Sequence, residues 1–309
     1  MVRGLENSKW RYRMRILVTG GAGFIGTNIV KRLINDGHDV VSVDNYYTGF
    51  KSNEHDGCNY IVGDIRDDGI FDGIDGIDLI FHLAALARIQ PSFEEPTPTI
   101  DTNTQGTQRV LEYARKNGNI PVVYAGSSSV HGDIHANPYS FSKWQGEELV
   151  KLYHQIYDLP TIVCRFYNVY GPKQLVDGEY CTVVGVFMKQ WEENRDITIT
   201  WDGEQRRDFT HVYDIVDGLV KSAEKLVDGD VNGQFFELGS GVNYSINELA
   251  AAFDGHPSVK IPKRAGEMRE TLCTDTLANE LLGWSPKENL IKWVKEQVNP
   301  ITLTSEESK

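Results

Sequence analysis

The sequence predicts an α/β fold, a doubly wound parallel sheet covered by helices on both faces, followed by a smaller C-terminal α/β region. Three observations predict it. From Arg15 onward short β-rich runs alternate with longer helical stretches; the first run passes directly through a glycine-rich turn into a helix; and after Arg165 the alternation loosens into Tyr- and Gly-rich segments.

Strands are expected near 16–19, 40–43, 60–62, 79–82, 122–125 and 161–165, with helices between them, notably at 25–36, 98–117 and 140–157. Turn residues then cluster at Gly171-Pro172, Asp177-Gly178 and Asp202-Gly203, and 235–238 reads as one more core strand. Short helices are expected at 246–253 and 278–282. This divides the chain into a first domain at 14–165 with a returning segment at 208–240, and a second region made of 166–207 and 241–300. Residues 1–13 and 301–309 are expected to be loose tails, Met14 directly preceding the first strand.

Composition excludes several functions. With 309 residues, 40% hydrophobic and 24% charged, the chain is balanced like a folded globular protein. A formal charge of -13 argues against nucleic acid or an anionic membrane as partner, since both need a basic surface. Cys58, Cys164, Cys181 and Cys273 are widely spaced with no Cys-x-x-Cys pair, so neither a metal site nor a disulfide framework is expected. No apolar run is long enough to span a bilayer, and residues 1–13 carry charge where a signal peptide would be apolar. A soluble, cytoplasmic protein with reduced thiols is the expectation.

The glycine turn carries the first chemistry. Gly20 permits a tight turn, Gly23 lets the backbone approach a pyrophosphate, and Gly26 lets helix pack against strand, while the helix N-terminus attracts phosphate. Phe24 and Ile25 lie in that first helical turn. The spacing is Gly-x-x-Gly-x-x-Gly, a weak signal alone. Asp44 strengthens it: a carboxylate ending the second strand can accept from both ribose hydroxyls of NAD and repel the 2'-phosphate of NADP. NAD in a Rossmann-type domain is therefore expected, with Asn45, Asp64, Ile65, Leu83, Ala84 and Ala85 at strand ends beside it. Asp64 could accept from the adenine amino group, or be an ordinary solvated loop residue.

Tyr139-Ser-Phe-Ser-Lys143 opens the helix after Pro138, and residues four apart share one helical face. A phenol titrates near 10, so a base at neutral pH needs about 4 kcal/mol of help for a 3-unit shift, within reach of nearby cations. Lys143 and an oxidised nicotinamide could supply it. The strand before it ends in Ser127, Ser128 and Ser129, hydroxyls that could hold a polarised substrate oxygen.

With these residues in place the chain resembles the extended short-chain dehydrogenases/reductases, specifically the NAD-dependent nucleotide-sugar epimerases and dehydratases, and in its motifs most of all UDP-sugar 4-epimerases. The likeness runs from Met14 to Trp293 and includes His82-Leu-Ala-Ala85, Asn103-Thr-Gln-Gly-Thr107, Arg165-Phe-Tyr-Asn-Val-Tyr-Gly-Pro172, Arg207-Asp-Phe-Thr-His-Val212 and Arg264-Ala-Gly-Glu267. It implies that Asn103 belongs to the cofactor site and that Asn168, Arg207 and Arg264 bind the nucleotide diphosphate, with Tyr180 and Thr182 nearby. It also implies a homodimer built by pairing the 98–117 and 140–157 helices into a four-helix bundle.

Such enzymes share a first step, in which the tyrosine removes the sugar O4 proton while hydride leaves C4. Dehydratases and decarboxylases of the family carry carboxylates where this chain has Ser127, Ser128 and Ser129. Without a carboxylic acid, proton transfer at C5 or C6 lacks its agent, whereas return of hydride to the opposite face needs none. C4 epimerisation of UDP-glucose or UDP-N-acetylglucosamine is the expectation, with Tyr139 as acid/base, Lys143 as electrostatic partner, Ser127 and Ser129 as relays, and Ser128 toward the sugar. Alternatives are a 4,6-dehydratase, a 3,5-epimerising relative, a UDP-glucuronate 4-epimerase or decarboxylase, and a catalytically silent NAD-binding regulator. Intact Tyr139 and Lys143 speak against the last.

Two departures and two further residues bear on the pocket. His131 replaces the tyrosine usual before Gly132, a change expected to affect packing alone, and the short 133–138 loop is expected to leave the pocket open. The resemblance aligns Thr271 with a position that admits C2 substituents, and its small size leaves room for N-acetylated sugars. Arg88 could meet a uronate carboxylate or an acidic neighbour.

Overall fold

The computed structural model describes residues 9–266 and 268–299. The expected strands form, in order, β1 (Arg15–Thr19), β2 (Asp39–Asp44), β3 (Cys58–Val62), β4 (Leu79–His82), β5 (Val122–Ser127) and β6 (Thr161–Phe166). Three more follow before the sheet is complete: β7 (Ile197–Thr200), β8 (Arg206–Asp208) and β9 (Gln234–Leu238). The main sheet has seven parallel strands in the order β3-β2-β1-β4-β5-β6-β9. The order reverses between β1 and β4, so the crevice above their C-terminal ends is where a doubly wound sheet binds its ligand.

Alternate residues of each strand serve opposite layers, which is why the strands read as nearly continuous apolar runs. Ile16, Val18 and Phe81 pack under α1 (Phe24–Asn35), while Leu17, Ile80 and Tyr124 form the core on the other face. The expected 98–117 helix is interrupted. Pro91, Pro96 and Pro98 break the approach into α2 (Ile89–Glu94) and α3 (Pro96–Ile100), a π-helical turn covers Asp101–Gly106, and α4 (Thr107–Lys116) follows. α5 (Pro138–Tyr157) starts on a capped turn, Asn137 accepting from the Ser140 N–H at 2.8 Å with Pro138 in the first position.

The second region holds α6 (Val183–Glu192) and, beyond the returning helix α7 (Val212–Val227), the elements β10 (Asn243–Ser245), α8 (Ile246–Ala251), β11 (Ser258–Ile261), α9 (Leu277–Leu282) and α10 (Leu290–Val298). β7 pairs parallel with β11 and β8 antiparallel with β10 around a third core that includes Tyr170, Phe187 and Phe253.

One expected boundary moves. Trp10 is buried against the His38 ring, 4.6 Å between centroids, and the Lys9 N–H donates to Asp228 at 2.7 Å, so the folded chain begins before Met14. The expected tail at 301–309, and residues 1–8, lie outside the described residues. Among the described residues no helix is long and apolar enough to cross a membrane.

Candidate active site

Gly20 lies at φ +77°, and a Cβ there would sit 2.9 Å from the Ala84 nitrogen, so β1 and β4 meet only through a glycine. A Cβ at Gly26 would collide with the Gly20 carbonyl oxygen, which fixes how closely α1 approaches the turn. Gly23 caps α1 without a side-chain bond, leaving the N–H groups of Phe24, Ile25 and Gly26 without intrahelical acceptors. Asp44 locks the turn: its Oδ2 accepts from the Ala22 N–H at 2.8 Å and its Oδ1 from the Tyr46 N–H at 2.7 Å. Burial raises its pKa, and these backbone donors pull against that shift. Free helix-end donors beside a buried carboxylate suit a dinucleotide's pyrophosphate and ribose.

Asn45 donates to Asp64 at 2.8 Å, and Arg66 clamps Asp64 with bonds of 2.9 and 2.8 Å, holding its carboxyl down at about 2. Ile65 is buried beneath Gly106 in the π turn, so it shapes the floor of the crevice by packing. Asn103 is likewise turned inward. Its amide donates to the Leu86 carbonyl and to Ser142 Oγ and accepts from the Leu86 N–H, bracing the segment that carries Leu83, Ala84 and Ala85 against α5.

Under that segment runs a buried relay that the sequence reading missed. The Leu83 and Ala84 N–H groups donate to Thr19 Oγ1, whose distance to His82 Nδ1 is 2.7 Å; His82 Nε2 lies 2.9 Å from Thr107 Oγ1, which donates to the Asn103 carbonyl.

Tyr139 stands in the first turn of α5, its Oη donating to Ser127 Oγ at 3.1 Å, and Ser127 donating to Ser129 Oγ at 3.0 Å. Ser128 is buried in the turn between them. Lys143, one turn below Tyr139, is buried and donates to Tyr124 Oη at 3.0 Å and to the Ala125 carbonyl, which directs its charge at β5. Burial brings the Lys143 ammonium down to about 8. The phenol of Tyr139 is raised by burial and pulled back by Ser127 and then by Arg88. Arg88 thus favours the ionised phenol, while Lys143 is turned toward Tyr124 and the Ala125 carbonyl.

Glu147 continues the same helical face four residues beyond Lys143. Its Oε1 accepts from the Ser127 N–H at 3.3 Å, and its Oε2 takes two bonds from Arg165 at 3.0 and 2.8 Å. Arg165 also reaches Glu237 at 2.9 Å; His131 Nε2 meets the same oxygen at 2.9 Å and Tyr167 Oη the other at 3.0 Å. The bond to Glu237 raises the His131 pKa, so the replacement at 131 adds a polar contact behind the serine turn and is more than packing. Spacing along α5 could have flagged Glu147; Glu237 became visible only through the register that sets Arg165 beside it.

Across the crevice, Arg88 Nε donates to the Tyr180 carbonyl at 2.7 Å, and the Tyr180 ring meets Tyr47 edge-on at 5.9 Å. Thr182 caps α6, accepting from the Gly185 N–H at 3.3 Å. Asn168 donates to the Asp208 carbonyl at 2.8 Å and lies 3.4 Å from Thr271 Oγ1. Arg207 sits in β8 opposite Tyr244, and Arg264 is exposed in the segment after β11; Glu267 of its motif lies outside the described residues. That segment roofs the crevice where the 133–138 loop is short: Gln90 donates to the Ala265 carbonyl at 2.8 Å, and a Cβ on Gly132 would lie 3.0 Å from Met268 Sδ.

Residues 16–239 match the family described as NAD dependent epimerase/dehydratase. The chain belongs to this family. The UDP-glucose 4-epimerase of Mycolicibacterium smegmatis is 34% identical over 311 residues, covering 92% of this chain and 97% of its own. UDP-glucuronic acid decarboxylase 5 of Arabidopsis thaliana is 32% identical over 317 residues, covering 93% and 89%. The crystal structure of UDP-glucose 4-epimerase from Thermotoga maritima with UDP-glucose superposes with a TM-score of 0.86 at 31% identity, covering 93% and 98%. As an NAD-dependent epimerase/dehydratase, the chain uses NAD, and the turn of Gly20, Gly23 and Gly26 with Asp44 is the part that fits it.

Proposed function

We propose that the chain is a UDP-sugar 4-epimerase working through a transient 4-keto sugar. The observation that carries this reading is the acid/base inventory around Tyr139. The phenol donates to Ser127, which in turn donates to Ser129, and the carboxylates behind them, Glu147 and Glu237, are both held by Arg165. A single group that takes and returns the O4 proton suffices for inversion at C4, whereas elimination at C5 and C6 calls for a further free acid.

NAD, when bound, supplies the acceptor and later the donor of the C4 hydride. Tyr139 takes the O4 proton and gives it back, and Ser127 positions the oxygen through the hydroxyl pair it shares with Ser129. Lys143 sets a positive charge at the base of the site, while Asn168, Arg207 and Arg264, with Tyr180 and Thr182, hold the diphosphate so that the freed keto sugar can turn over. Ser128 faces the sugar in this scheme.

The enzyme acts as a cytoplasmic homodimer in this reading. Four unpaired cysteines agree with a reducing compartment, and an open groove of about 470 Å³ beside Trp144, Leu149 and Leu152 on α5 offers a face for a second α4–α5 pair.

Proton NMR of the protein with NAD and UDP-glucose, UDP-N-acetylglucosamine or UDP-glucuronate tests the reaction. Growth of the C4-epimer anomeric signal is the expected result. A 4-keto-6-deoxy sugar or a pentose as the main product would refute it, and no reaction with any nucleotide sugar would leave a silent NAD-binding protein.

A further inference from the structure

Arg88 is a half-buried guanidinium without an anion. It stands at the N-cap of α2, and its two protein bonds go to neutral carbonyls, those of Tyr180 at 2.7 Å and Ala87 at 3.0 Å. That engages two of five N–H donors. Among the described residues it makes no ion pair, while Arg66 and Arg206 meet Asp64 and Glu248, and Arg165 meets two glutamates. Withdrawing a charge from water without a partner is costly, so an unpaired guanidinium in a crevice calls for an anionic ligand.

Its location says which anion. α2 packs on the first turn of α5, Ser92 Oγ accepting from the Tyr139 N–H at 3.2 Å, so Arg88 at the N-cap of α2 lies between Tyr139 and Tyr180, at the sugar end of the crevice. Tyr139 must reach O4 of the sugar. On a hexopyranose, C4 is followed by C5 and C6, and the one common charged substituent there is a C6 carboxylate. We infer that Arg88 receives the C6 carboxylate of a UDP-hexuronate, which narrows the UDP-sugar substrate to that class and rests on the 4-epimerase reading.

The same contact would protect the intermediate. A 4-keto hexuronate is a β-keto acid: its C5–C6 bond can break, the electron pair passing to C5 as the enolate of the C4 ketone, CO2 leaving and a solvent proton then adding at C5. The carboxylate loses its charge on that path, so a guanidinium paired with it slows the loss.

Two measurements separate this inference from the reaction itself. Calorimetry of the NAD-loaded protein with UDP-glucuronate and UDP-glucose reads the carboxylate contact whether or not turnover follows. The uronate is expected to bind more tightly, and Arg88→Met to lower the ratio of affinities by about 100-fold, with Arg88→Lys recovering part of it. Equal affinities in the unmutated protein, or an equal loss for both ligands in a folded Arg88→Met protein, would overturn the inference and assign Arg88 to the phenol or the diphosphate. If Arg88→Met does not fold, the two affinities of the unmutated protein decide alone. Turnover by NMR tests the epimerase reading separately, and release of CO2 or a pentose by Arg88→Met is the further result expected when both hold.

Discussion

His82 closes β4 directly beneath the crevice, buried to 1% exposure. Its protonation is dictated by its neighbours: Thr107 already donates to the Asn103 carbonyl, so it accepts from Nε2–H, and Nδ1 is left to accept from Thr19. A second ring proton would break the bond to Thr19, and burial together with the Lys143 charge lowers the pKa to about 3 from 6.5. The unfolded chain protonates near 6.5 and the folded one only near 3, so this contribution is fully present above pH 6.5 and lost as the pH falls toward 3. That gap corresponds to roughly 5 kcal/mol, of which roughly half is gone at pH 4.5. His82→Gln keeps a donor and an acceptor but does not titrate. Urea unfolding of the NAD-saturated proteins at pH 7 and 4.5 is the assay. The variant is expected to be less stable at pH 7 by roughly 1–3 kcal/mol, yet to lose roughly 2–3 kcal/mol less than the unmutated protein on acidification. Every other titrating group cancels in that difference, so parallel losses would refute the assignment of a neutral, Nε2-protonated His82.

Tyr139→Phe is expected to retain NAD while turnover falls by roughly 10²–10⁴-fold, read by NMR or a coupled assay; unchanged turnover would remove the phenol from the reaction. Asp44→Ala is expected to weaken NAD by at least about tenfold and to bring NADP closer to it in affinity, measured by fluorescence titration, since a carboxylate there repels a 2'-phosphate. Leu152 lines the α5 groove at 47% exposure, and Leu152→Asp is expected to shift the protein from dimer to monomer in light scattering; a monomeric unmutated protein would sink the four-helix assembly.

The parallel sheet was legible because its strands are apolar on both faces, and α1 and α5 because each starts at a glycine or proline signal and keeps a helical apolar period. β7, β8, β10 and β11 escaped notice for a physical reason. Each is only three or four residues long and owes its existence to a partner far along the chain, β7 pairing with β11 and β8 with β10. α7 is a different case, since Val212, Ile215, Val216, Leu219 and Val220 carry a plain helical spacing that could have been read. The π turn at Asp101–Gly106 had no local signal, and it alters the role of Asn103, whose amide braces the floor. Trp201 at φ +58° is also unreadable from sequence, because a bulky residue in the left-handed region is held there by its surroundings, here Lys263 and Arg269 over its ring.

Tyr139, Lys143 and the charges behind them were legible to different depths because they belong to different kinds of neighbourhood. Tyr139, Lys143 and Glu147 are joined by helical spacing alone, so one period exposes all three. Gly126, Arg165 and Glu237 are joined by sheet register, each directly beside the next on β5, β6 and β9. Gly126 leaves the space: a Cβ there would lie 2.8 Å from Glu147 Oε1 and 3.0 Å from the Arg165 side chain. The helix thus delivers one carboxylate and the sheet the other, and a single guanidinium between them consumes both. Two glutamates lie behind the serine turn, yet Arg165 holds both: Glu147 positions Ser127 through its N–H, Glu237 is tied to His131 and Tyr167, and neither is free to act as a second acid. In the proposed 4-epimerase reading, breaking that arrangement at Arg165 would release a carboxylate, so the restriction to one proton-transfer group would reside as much in this buried cluster as in the three serines.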